Sequence, residues 1–299
     1  MFSRKLRSTD TMWGYLFSAP FILTFLIFIS YPLLLSLKLS FLDINILQPE
    51  RAKFVGIGNY VAAVKDPLFW QSIFNVGYNQ VIFIATSFAV AFMLAVLLKE
   101  ITVGGSFFRT VYFLPVITSI TVAMILLQYL ANPAGPIQSL LMQWGWLDEG
   151  VFWTFSRWLP MPVLAIFNSW KWFGIQLVIF LGGMYAINPE LYEAAEMDGA
   201  GWWRRLVSIT VPLLKPQILF VLTVNLINGM QMFTEVFMNF DLYGGPYHSA
   251  LTPVLYLYGQ GFDRMDLGYA ATLGLMLAIV ISILTFLQWK LLNRQGSGR

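Results

Sequence analysis

Six stretches of this chain are each apolar over roughly 20 or more residues, the length at which a helix matches the hydrocarbon thickness of a bilayer. They run from about Trp13 to Leu37, Ser72 to Leu98, Val111 to Leu130, Val163 to Ile187, Leu213 to Phe237 and Gly268 to Leu292. Lipid offers no partner to backbone N–H and C=O groups, so a spanning chain must form helices or a closed barrel. Each run is too long for a barrel strand and lacks the two-residue alternation that one needs. The fold class predicted is therefore all-α, a six-transmembrane-helix bundle in one membrane domain over residues 1–299. Composition agrees: 58% of residues are apolar and 11% are charged, too little polar surface to enclose the rest in water.

Arg4, Lys5 and Arg7 precede the first run as in a signal peptide, but the run is longer than an h-region and no small-residue cleavage pattern follows. It is read as a retained span. Six spans put both termini on one side, and the positive-inside rule makes that side the cytoplasm, with eleven of the 18 Lys and Arg residues inside. The cytoplasmic parts are then a tail over 1–12 and a long loop over 188–211. Outside lie three connections, near 38–71, 131–162 and 238–267. In the middle one, Ile137 to Trp146 has the periodicity of a short interfacial helix, which either anchors in the headgroups or grips an outer partner.

Several chemistries are excluded. A net charge of +3 scattered over membrane flanks offers no nucleic acid a surface. No cysteine and a single histidine, His248 in an outer loop, leave no metal set and no nucleophile with a base. No Gly-Lys pair occurs, so the chain has no phosphate-cradling loop.

The loop over 188–211 is polar where its surroundings are apolar. Asn188 suits an N-cap, Pro189 the first helical position, and Glu190 and Glu193 the positive end of the helix dipole. Ala194 and Ala195 keep that helix slender, and Gly199-Ala200-Gly201 ends it. A second helical piece from Trp202 to Ile209 carries Trp202 and Trp203 for the interface, before Pro212 resets the chain. The pattern predicts a helix, a sharp turn and a helix presented to the cytosol.

Glu193-Ala194-Ala195, three residues, Gly199, nine residues, then Ile209 and Pro212 match the "EAA" loop in register, with Val211 for the usual Leu. On this motif the chain resembles the membrane subunits of binding-protein-dependent ABC importers. Its resemblance to the carbohydrate branch, the maltose and glycerol-phosphate type, extends over nearly the whole chain. It is carried by Tyr31-Pro32, Ser40-Phe41, Gly58-Asn59-Tyr60, Phe113-Leu114-Pro115, Trp170-Lys171-Trp172 and Gly244-Gly245-Pro246. The resemblance implies that Glu193, Ala194, Ala195, Asp198 and Gly199 dock on a cytoplasmic ATPase. It implies two ATPase subunits, which bind ATP and Mg where this chain binds no cofactor, a second homologous permease and an extracytoplasmic solute-binding protein. The setting is a bacterial or archaeal cytoplasmic membrane, and the substrate a sugar, with glycerol phosphate or a polyol derivative as alternative.

A path for a hydroxylated solute should show as polar groups inside spans. Asn225, Asn228 and Gln231 share a stripe of span five, with Gly229 allowing close approach; Asn75, Asn79, Gln80, Gln128 and Gln176 are further candidates. Amides between membrane helices also simply bond each other. Tyr78, Phe233 and Tyr256 offer faces for sugar stacking. Glu235, the one acid well within a span, is placed to bond substrate, brace an outer gate or reach Lys171, and bracing is preferred. An ion-coupled carrier is the rival transporter class; it usually leaves more intraspan acids or broken-helix ion sites.

Overall fold

The computed structural model describes residues 8–101 and 103–294, with side chains described for 12–101 and 103–291. These fall into two compact units, one of the described residues within 1–65 and 260–276, the other of those within 66–259 and 277–299.

The first unit opens with α1 (Ser8–Phe25), a π turn (Leu26–Ser30) and α2 (Tyr31–Leu39), together one apolar span from Met12 to Leu39. None of that span's residues is buried within the chain, as befits a surface that lipid or another subunit covers. The π turn has a local cause: Pro32 cannot donate and its ring crowds the carbonyl four residues back, so the helix widens and Tyr31 N–H bonds Leu26 O instead. Beyond α2, β1 (Leu42–Asp43) and β2 (Lys53–Phe54) form a small antiparallel ladder, a feature the hydropathy pattern does not announce, followed by α3 (Gly58–Lys65). Asn59 Nδ2 donates to the Ser40 and Leu42 carbonyls, both at 3.0 Å, and Ser40 Oγ meets Tyr60 Oη at 2.7 Å. Thr272 Oγ1 also donates to Ser40 O at 3.1 Å. Three of the family-like residues, Ser40, Asn59 and Tyr60, thus knot this segment together.

The second unit is built on α4 (Pro67–Glu100), started by Asp66, whose carboxylate accepts the Leu68 N–H. After it come α5 (Gly105–Ile117), α6 (Ile120–Leu130), the short α7 (Pro136–Gln143) and α8 (Pro160–Tyr185). Helix α4 lies along α8, with Ala91 and Ala95 fully buried between them beside Leu177, Phe180 and Met184. Between membrane helices there is no hydrophobic drive to associate, so small residues that permit close van der Waals packing do that work. Phe180 receives the edges of Phe88 and Phe92 at ring distances of 5.1 and 5.7 Å. The chain continues through α9 (Glu190–Met197), α10 (Trp202–Arg205), α11 (Val211–Leu213), α12 (Lys215–Met230), α13 (Thr234–Asn239) and α14 (Pro253–Tyr258) to α15 (Leu267–Arg294), which begins among the residues of the first unit. A second π turn, Leu206–Thr210, precedes Pro212 as the first precedes Pro32.

Among the described residues four helices are long and apolar enough to cross a bilayer, and two bent helix pairs, each taken as one span, bring the number to six. The bends correct the reading of spans three and five as continuous helices. Span three turns by 92° between α5 and α6, where Thr118 is extended. Span five is bent by 65° ahead of α12 and interrupted again at Gln231–Phe233 before α13. Apolar content sets a run's length, but a break needs its freed carbonyls satisfied, and distant residues supply that. The Lys171 ammonium of α8 donates to the Pro115, Val116 and Thr118 carbonyls at the first break. At the second, Thr252 Oγ1 donates to Met232 O at 2.8 Å.

Candidate functional site

Two places concentrate polar residues in this apolar chain: a hairpin between α8 and α12, and a cavity between α4, α8 and the α12–α13 break.

The hairpin begins where Asn188 Oδ1 accepts the Glu190 N–H at 3.1 Å, satisfying one of the donors a helix start leaves free. Helix α9 ends in a complete Schellman turn: Ala200 N–H bonds Ala195 O at 2.9 Å and Gly199 N–H bonds Glu196 O at 2.9 Å. Gly199 has φ +75°, a conformation open to glycine and costly to other residues. The two helices are tied across the turn by Arg205 on Glu196 at 2.7 Å. They are tied to the end of α4 by Trp202 Nε1 on Glu100 at 2.6 Å and by Lys99 over the Tyr192 ring at 3.8 Å. With its base anchored, the hairpin exposes Glu193, Ala194, Met197, Asp198 and Gly199; Ala195 is half-buried. Met197 is 88% exposed and Leu191 46%, so the tip offers apolar as well as acidic contacts.

The cavity has a volume of about 440 Å³, within the range of small-molecule sites. Asn225, Asn228, Gln231 and Glu235 line it from the α12–α13 side, Asn79 and Gln80 from α4, and Asn168, Trp172 and Gln176 from α8. Spacings of four on α8 put Asn168, Trp172 and Gln176 on one face. Asn168 and Trp172 are missed when span-five amides are given precedence; applying the intraspan-amide rule evenly to α8 would have found Asn168. The close approach of α12 to α4 depends on Gly229, where a Cβ would collide with the Gln80 amide. Phe233 lines the cavity and packs on Phe237 and Tyr258 at 5.1 and 5.2 Å.

Other candidates lie elsewhere. Tyr78 does not line the cavity; it is half-buried and stacked on exposed Phe74 at 6.4 Å, because its position on α4 faces away from Asn79 and Gln80. Tyr256 is buried with its hydroxyl on Asp66 Oδ2. Asn75 pins the loop between α13 and α14 through His248 O and Leu251 O at 2.8 and 3.0 Å, and Gln128 bonds Met238 O at 3.0 Å. His248 Nδ1 lies 2.8 Å from Tyr243 O. Glu235 and Lys171 interact electrostatically but form no ion pair among the described residues, since the ammonium is held on the α5 carbonyls. In the interfacial segment, Gln138 bonds Ala131 O, Val151 O and Val151 N at 2.7 to 2.8 Å, closing the loop on itself.

A lipid-embedded helical bundle with an anchored polar hairpin and a polar cavity beside broken helices is the build of a transport subunit. The chain belongs to the family of inner membrane components of binding-protein-dependent transport systems, whose pattern it matches over residues 2–295. It is 32% identical to the arabinooligosaccharides transport system permease of Halalkalibacterium halodurans over 276 residues, 92% of this chain and 85% of that one. To the lactose transport system permease of Rhizobium radiobacter it is 33% identical over 278 residues, 92% of each chain. Its fold matches a chain of a bacterial ABC transporter importing the acidic polysaccharide alginate, with a TM-score of 0.80 at 23% identity over 96% of this chain and 98% of the other. The family's members are transport permeases, not catalysts.

Proposed function

We propose that this chain is one membrane subunit of an ATP-driven importer that carries a sugar or oligosaccharide across the cytoplasmic membrane by alternating access. Its termini lie in the cytoplasm, and a similar second permease completes the path. Glu193, Ala194, Ala195, Asp198 and Gly199 engage one of two ATPase subunits, which bind ATP and Mg. A solute-binding protein delivers the sugar from outside, a reading supported by the complex of the alginate transporter with an alginate pentasaccharide-bound periplasmic protein. Asn225, Asn228, Gln231, Asn79 and Glu235 line the route.

The observation that carries this reading is the hairpin. It is braced at its base and shaped by a left-handed Gly199, yet at its tip it leaves acidic and apolar side chains exposed and without a partner among the described residues. Exposed Met197 and Ala194 on a short rigid helix suit insertion into a groove, where a push is transmitted to α8 and α12 with little bending. The names of the similar permeases, for arabinooligosaccharides and lactose, support the sugar class, as does a cavity in which amides lie beside the faces of Trp172 and Phe233.

Expression from the native operon with a tag on this chain tests the proposal. An ATPase and a second permease should co-purify, and sugar uptake should stop when ATP is depleted with the ion gradient kept. Asn228→Leu should lower uptake while leaving ATPase association intact. Uptake driven by an ion gradient alone, with no ATPase bound, would establish a carrier instead.

A further inference from the structure

The cavity holds one kind of ionisable group. Of its 16 lining residues Glu235 is the sole Asp, Glu, Lys, Arg or His. The cation that interacts with it, Lys171, is not among them, and its ammonium is already turned onto three carbonyl oxygens of α5. Any solute that enters therefore meets a carboxylate with no cation beside it on the wall.

The same wall offers hydrogen-bond acceptors as well as donors. Asn79 Nδ2 donates to Met161 O at 2.8 Å, which turns its oxygen to accept from Gln80 Nε2 at 3.5 Å. That leaves Gln80 Oε1 buried without a partner, and Asn168 Oδ1 and Gln176 Oε1 share its condition. Asn225 Nδ2 is a buried donor in the same condition, and Asn228 and Trp172 bring further side-chain N–H groups to the lining. A hydroxyl group both donates and accepts, so it suits such a wall. A solute carboxylate, sulfate or phosphate ester brings acceptors only, together with charge of the wrong sign.

Resting on the sugar-path reading above, we infer that this permease passes uncharged saccharides and rejects anionic ones, and that Glu235 is the residue that excludes them. The path then differs in kind from one handling an acidic polysaccharide such as alginate, although the folds match. It is also unsuited to glycerol phosphate, whose phosphate would enter the cavity without a guanidinium or ammonium to receive it.

The test uses the complete complex purified with its own partner subunits, in nanodiscs and without binding protein, so that selection by the delivery protein is absent. Equilibrium binding of tritiated lactose is measured, then its displacement by digalacturonate and by glycerol 3-phosphate. Both anions should displace lactose at least tenfold more weakly than unlabelled lactose does. In Glu235→Gln that ratio should fall below threefold for digalacturonate. Anions displacing as well as lactose in the native complex, or a ratio untouched by Glu235→Gln, would overturn the inference and leave the sugar path standing. Should the variant not assemble, the ranking of the three probes on the native complex decides. If no probe binds and Asn228→Leu uptake is normal, the sugar path itself is wrong and the inference falls with it.

Discussion

Gly199 is where a change of one methyl group separates backbone shape from bulk. At φ +75° the position strains an L side chain, yet a Cβ built there meets nothing within 4 Å. Gly199→Ala therefore adds no collision inside this chain, and its whole cost is conformational, about 1–2 kcal/mol for a non-glycine residue in the left-handed region. That cost is local to an exposed turn, so thermal unfolding of the chain should move little. It acts on the fraction of hairpins shaped for docking, and apparent affinity scales with that fraction. A penalty of about 1–2 kcal/mol corresponds to roughly 5- to 30-fold weaker ATPase association. Gly199→Asn, better tolerated in this region, should lose less. Gly199→Leu shares the backbone cost of Ala and adds bulk at the tip, so any loss beyond that of Ala measures how tightly the partner covers the turn. The assay is titration of the detached ATPase onto the permease in nanodiscs, paired with ATP-driven uptake. Native affinity for both Ala and Leu would refute the assignment of this turn to the coupling contact.

Two further outcomes follow from packing and hydrogen bonding. Phe180→Ala empties roughly 100 Å³ between α4 and α8; lipid tails are as apolar as the side chain, so the cavity term of about 24 cal/mol per Å³ dominates and the loss should be about 2 kcal/mol, read by thermal unfolding in detergent. A loss below about 0.5 kcal/mol would mean that the helices collapse onto the gap. Lys171→Met leaves the carbonyls at the span-three break without their donor, a cost of about 1–3 kcal/mol, and should widen the distance distribution between spin labels at Phe107 and Tyr129. A distribution identical to the native one would remove the lysine from the account of the bend.

Local signals carried much of this protein. Run length and apolar content determined six spans, because a bilayer leaves the backbone few ways to satisfy itself. Asn188, Pro189 and Gly199 determined a helix, turn and helix from cap chemistry that acts over a few residues, and the hairpin is seen with those caps in place. Amides at Asn225, Asn228 and Gln231 marked a wall of the cavity, since polar groups in lipid are costly wherever they occur. The break in span three and the Gln231–Phe233 interruption in span five were beyond reach, because the donors that make them tolerable sit far along the chain: Lys171 for Thr118, Thr252 for Met232. So was the place of Trp172, which joins Gln231 in the lining only once α8 is laid against α12. Tyr78 and Asn79 are adjacent in sequence, yet helical geometry sends one toward Phe74 and the other into the cavity. Segment identity is set by each residue's affinity for lipid or water, which is legible one residue at a time. Which side chains face one another is set by helix packing, and that is decided only when the helices have found their neighbours.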